Sequence, residues 1–96
     1  MLVEVPYKQG DVVSMKLVSG DEVVARFSEE KDNKYIVSKA MSIMMNPQGI
    51  ALVPFMFSAP EDSTVEIEKE RIICVIKSHE DFAKQYLSQT TGIQIQ

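Results

Sequence analysis

The chain has 96 residues, 45% of them hydrophobic and 25% charged, with a formal net charge of -4. These are ordinary values for one globular domain, and they exclude a wholly disordered or collagen-like chain. A single Cys and a single His exclude a disulfide framework, a Cys-rich zinc site and an imidazole cluster. Trp is absent, and three Tyr and four Phe leave little aromatic surface for stacking bases.

Residues 12–18 (VVSMKLV) alternate, with Val13, Met15 and Leu17 on one side and Ser14 and Lys16 on the other. Ser19-Gly20-Asp21 reads as a turn, and Gly20 is free to take positive φ. Residues 22–28 (EVVARFS) alternate again, placing Val23, Ala25 and Phe27 together, so the two runs predict a first hairpin. Residues 29–34 (EEKDNK) are all polar and read as a loop tip. Residues 35–45 (YIVSKAMSIMM) open with aromatic and β-branched residues and read as a strand, with a helix as the rival. Asn46-Pro47-Gln48-Gly49 reads as a turn, and residues 50–58 (IALVPFMFS) as the partner strand. Pro54 removes a ladder donor and points to an edge or a bulge.

Ala40 to Pro60 forms a run of 21 residues without a charge. Pro47, Gly49 and Pro54 divide it, and neither half reaches the ~20 apolar residues of a membrane-spanning helix. The start MLVEVPYKQGD has no basic opening and no long apolar run, so no signal peptide is expected. The expectation is a soluble cytoplasmic chain with no membrane partner and an uncharged central hairpin. Met44, Met45 and Met56 in that hairpin read equally as core filling or as an apolar edge facing another subunit.

After a turn over residues 59–63, residues 64–68 (TVEIE) alternate briefly, as a strand or as a detour in a loop. Residues 72–77 (IICVIK) are densely apolar, which predicts a strand buried on both faces with Cys74 as a core thiol. The period then changes. Ser78 is a candidate helix cap, Asp81 lies three residues on, and Phe82, Ala83, Tyr86 and Leu87 share a helical face, so a helix is predicted over about 79–90. Gly92 suits its end, with a short tail to Gln96. The expected fold is mainly β: one domain over 1–96, a small, strongly bent five-stranded antiparallel barrel over about 12–77, then the short C-terminal helix.

Enzyme signatures are missing. There is no phosphate-binding Gly-rich loop, nucleophile elbow or HExxH, so the chain is expected to be no enzyme and to need no cofactor or metal. His79 reads as a solvated residue in the first helical turn. Glu61, Asp62, Glu66, Glu68 and Glu70 alternate with Val65, Ile67 and Lys69 and read as a solvated face, with a weak cation site as the sharper reading. Lys31 and Lys34, with Lys39 further on, are interleaved with Asn33 and Tyr35. Lysines neutralise phosphates, Asn reads a base edge and Tyr offers a stacking face, although Glu29, Glu30 and Asp32 offset the charge.

This pattern resembles the Sm and Sm-like RNA-binding proteins, in a divergent branch similar to the small Sm-like proteins of marine phages. Val13–Leu17, then Gly20, then Val23-Val24-Ala25 and a polar loop ending in Asn33 resemble the first family motif. Gly20 takes the place of the turn glycine, Ala25 that of a second small residue, and Glu29 and Asn33 have the spacing of the loop Asp and Asn. Asn33 then resembles the base-contacting Asn. Residues 67–75 (IEKERIICV) have the frame of the second motif, with Glu68 and Lys69 where Arg-Gly stands in the family. Lys69 or Arg71 would serve in its place.

The resemblance implies a homo-oligomeric ring of about five to seven subunits, closed by pairing one edge strand with the opposite edge of the next copy. It implies single-stranded RNA, or less readily DNA, bound by Lys31, Asn33, Lys34, Tyr35, Lys69 and Arg71, with a role in nucleic-acid processing or chaperoning. A ring-forming assembly module without nucleic-acid binding is the alternative, favoured by the acidic balance and by Glu68-Lys69.

Overall fold

The computed structural model describes residues 7–60 and 62–90. Six strands and one helix follow in order: β1 (Val12–Leu17), β2 (Glu22–Lys31), β3 (Lys34–Asn46), β4 (Gly49–Pro54), β5 (Thr64–Glu68), β6 (Ile72–Lys77) and α1 (Glu80–Thr90), with a 3-10 turn over Lys69–Arg71 between β5 and β6. All pairings are antiparallel. The sheet runs β4-β3-β2-β1-β6, and β5 pairs with β3 beside β4.

β3 carries this arrangement because it bends. Between the pairs Val24–Met41 and Arg26–Ser38, β3 holds one residue more than β2, and Lys39 there has φ 51°. Between Phe27–Val37 and Glu29–Ile36 the extra residue lies on β2. Such bulges sharpen local twist and re-aim a strand. The first part of β3 therefore pairs with β5 (Lys34–Ser38 against Glu68–Thr64) and the second with β4 (Met41–Asn46 against Pro54–Gly49).

Alternation in β1 and β2 places two apolar sets on opposite faces. Val13, Met15, Leu17, Val23, Ala25 and Phe27 join Val37 and Ile67 in one core inside the bend. Val12 and Val24 face the other way and pack with Tyr86 of α1. Phe82, Ala83 and Leu87 border that second cluster, as the helical spacing predicts, and Met41, Ile43 and Leu52 meet them from the sheet. The Tyr86 hydroxyl donates to Lys39 O at 2.6 Å. Burial raises its pKa far above the ordinary tyrosine value, outweighing the opposing effects of the Arg26 charge and of hydrogen bonds.

The architecture is mainly β with an antiparallel sheet and one short C-terminal helix, as expected, but it differs from the sequence reading in several places. There are six strands, and no ladder joins β6 to β4 or β5 among the described residues, so the sheet is open. Residues 29–34 are no loop: β2 and β3 run into a two-residue turn at Asp32-Asn33, whose φ values of 51° and 63° suit a type I′ hairpin. β4 ends at Pro54, which has no N–H to continue the ladder. Residues 64–68 form a strand of their own.

β6 is an edge strand, not one buried on both faces. Ile73 and Ile76 are each 63% exposed, and the Cys74 thiol is exposed rather than in the core. Only Ile72 and Val75 reach the interior, because β6 carries one extra residue opposite the Lys16–Leu17 step. Ser78 does not cap α1. Its hydroxyl pairs with Ser14 Oγ at 2.7 Å, and Nδ1 of exposed His79 accepts from Asp81 N instead. Gly92 and the tail after it lie outside the described residues. No helix among the described residues is long and apolar enough to cross a membrane.

Candidate nucleic-acid interface

The tip of the β2–β3 hairpin and the 3-10 turn after β5 come from distant parts of the chain, yet they touch. Lys69 N donates to Asn33 O at 3.0 Å. β5 brings them together by pairing Glu68 with Lys34 and Ile67 with Tyr35. The six residues singled out in the sequence therefore lie on neighbouring segments at one end of the sheet, with Lys34 and Tyr35 on opposite faces of β3. Lys31 and Lys34 are the last paired residues of the hairpin, Asn33 sits exposed in the turn, Tyr35 begins β3, and Lys69 and Arg71 lie in the 3-10 turn.

The side chains are less available than their types suggest. Lys69 pairs with Glu30, and its ammonium lies 5.3 Å from the centre of the Tyr35 ring. The Tyr35 ring also packs edge-on against Phe27 at 5.8 Å and Tyr7 at 6.5 Å. Burial, followed by the neighbouring Tyr7, raises the Tyr35 pKa, and burial raises that of Tyr7. Both phenols thus remain neutral donors at neutral pH. Tyr7 donates its proton to Val75 O at 3.0 Å, tying the segment just before β1 to β6.

Lys34 meets Glu66 at 3.2 Å and Arg71 meets Glu68 at 3.5 Å. Among the described residues, Lys31 alone of these four cations has no carboxylate within ion-pair distance. Two of the three pairs are largely solvated, and such pairs contribute about 0–1 kcal/mol, so a phosphate can displace their carboxylates at little cost. The arrangement is a near-neutral polar patch with exchangeable cations, not a uniformly basic one.

Val65 and Ile67 turn inward while Glu66, Glu68 and Glu70 stay exposed, as the alternation predicts. Glu61 lies outside the described residues. No group of three or more His, Cys, Asp or Glu among the described residues is placed to hold a metal ion.

The sequence reading passed over several residues. Glu30 was visible only as a charge offset, because its pairing with Lys69 depends on β5 crossing to β3. Phe57, 82% exposed, lies beyond the end of β4, although the sequence predicts a strand through it. Met44, Met45 and Met56 are all exposed, which favours the apolar-edge reading over core filling. No model of a known protein family matches this chain, and no curated protein matches it.

Proposed function

We propose that this chain assembles with copies of itself into a closed Sm-like ring and that the ring binds single-stranded nucleic acid, RNA more readily than DNA, without making or breaking bonds. The observation that carries the reading is a pair of unpartnered sheet edges. The outer edge of β6 and the outer edges of β4 and β5 have no ladder partner among the described residues. An open edge invites another strand, and natural proteins ordinarily charge, cover or pair it. β6 instead exposes Ile73 and Ile76. Pairing β6 of one copy with β5 of the next satisfies those two edges, though not that of β4, by a head-to-tail contact, which closes if the rotation per subunit divides a circle.

Such a ring repeats the Asn33–Lys69 patch once per subunit. Lys31, Lys34, Lys69 and Arg71 would hold phosphates while Asn33 and Tyr35 meet bases, and repetition turns weak contacts into avidity. Mass in solution by light scattering tests the assembly, and a monomer at micromolar concentration refutes it. Fluorescence anisotropy with labelled oligo-U and oligo-A across a salt series tests the ligand. Affinity should fall steeply with salt, and no binding at low salt refutes that part.

The ion pairs support a second reading, an assembly module without nucleic-acid binding. Three of the four cations already face carboxylates. Reversing Lys31 and Lys34 to Glu separates the two readings: under the first, oligonucleotide binding is lost while the ring persists; under the second, there is no such binding to lose.

A further inference from the structure

The bulge at Lys39 has a consequence for the surface. It parts β4 from β5 along the outer edge of β3, and residues 55–60 arch over the gap, anchored by Phe55 N donating to Ala40 O at 3.1 Å. Beneath the arch lies a cavity of about 440 Å³. That volume lies within the ~300–1,000 Å³ range of small-molecule sites. Met41, Phe55, Met56 and Val65 supply apolar wall, and Lys39 is the only charged side chain among the described residues that line it.

Lys39 is held in place from two sides. Its carbonyl accepts the Tyr86 hydroxyl at 2.6 Å, and its ammonium donates to Thr90 O, at the end of α1 and also lining the cavity, at 2.8 Å. An ammonium has three donors, so two remain. A cation held in place beside apolar wall loses less side-chain freedom on meeting an opposite charge than a freely moving surface lysine does. We propose that this cavity binds a small organic monoanion, an aromatic or branched apolar body carrying one carboxylate or sulfonate, with the anion on Lys39 and the body against Met41, Phe55 and Val65. The site shares no residue with the Asn33–Lys69 patch, whereas Val65 of β5 places it beside the edge proposed to pair in the ring.

The test uses two fluorescent probes with nearly the same aromatic body. 8-Anilinonaphthalene-1-sulfonate carries one negative charge, and N-phenyl-1-naphthylamine carries none. The full chain should bind the sulfonate saturably, one per chain, with Kd of roughly tens of micromolar. Lys39→Gln should weaken it about tenfold while leaving the uncharged probe unchanged. Lys39→Arg should restore most of the loss, and Ala59→Trp, which fills the arch, should abolish both. Thermal melting and amide NMR spectra confirm that each variant is folded, and sulfonate-induced shifts should centre on Met41, Phe55 and Val65. Equal loss of both probes in folded Lys39→Gln overturns the proposal, leaving Lys39 as a helix-end cap only. Binding that survives Ala59→Trp, or the absence of saturable binding to the native chain, overturns it as well.

Discussion

Removing parts of Tyr86 separates what its ring and its hydroxyl contribute to holding α1 on the sheet. The residue is 0% exposed and packs between Val12 and Val24, and its hydroxyl satisfies Lys39 O at the bulge. Tyr86→Phe keeps the ring but orphans a carbonyl in the bend, which costs about 1–3 kcal/mol. Tyr86→Ala also leaves a cavity, so its cost rises to about 3–5 kcal/mol. Against a total stability of about 5–15 kcal/mol for a single domain, the second is a large share. Urea denaturation followed by far-UV circular dichroism measures both.

The hydroxyl also predicts a pH dependence. Its pKa is raised in the folded chain by burial, so the folded state holds the proton where the unfolded state has released it. The resulting stability is complete below the unfolded value near pH 10 and is lost as pH rises, at about 1.4 kcal/mol per pH unit. Tyr86→Phe should flatten that alkaline decline, leaving the smaller part due to Tyr7 and Tyr35, whose pKa values are also raised. An alkaline profile identical to that of the native chain, or a Tyr86→Ala cost below about 1 kcal/mol, refutes this account of how the helix is held.

Other perturbations read other parts of the molecule. Gly20 has φ 97° with nothing near enough to obstruct an added Cβ, so Gly20→Ala pays only for the backbone angle, about 1–2 kcal/mol in denaturant titration. Replacing Ile73 and Ile76 together with Lys should leave the subunit folded, since both side chains are exposed, while light scattering shows the assembly falling to a monomer. Cys74 lies on the same strand, so a thiol reagent should label it quickly in dilute protein and more slowly as concentration drives association; equal rates would argue against pairing through β6. Lys69→Ala removes both the partner of Glu30 and the cation over Tyr35, and the Tyr35 ring resonances should shift by NMR.

Much of this molecule follows from local pattern. Alternation at Val13, Met15 and Leu17, and at Val23, Ala25 and Phe27, predicts the first hairpin because side chains on a strand repeat every second residue. The turns at Gly20 and at Asn46-Pro47-Gln48-Gly49 are local backbone chemistry, as is the helical face of Phe82, Ala83, Tyr86 and Leu87. Tertiary structure decided the rest. Apolar content alone cannot distinguish a buried strand from an edge, so β6 with exposed Ile73, Cys74 and Ile76 looked in sequence like a core strand. The polar tip at residues 29–34 gave no sign of a continuing ladder, because the pairing of β2 with β3 continues to Lys31–Lys34 and β5 supports the hairpin from a distant part of the chain.

Sequence by itself determined which residues alternate and where most of the turns fall, and it nominated six residues as a candidate binding set. Only the folded chain decided that Asn33 and Lys69 are neighbours, that acids occupy most of the cations, and that a bulge at Lys39 parts β4 from β5 over a cavity. The physical reason is range: alternation and turns are set within a few residues, whereas bulges, edges and ion pairs depend on which strands meet.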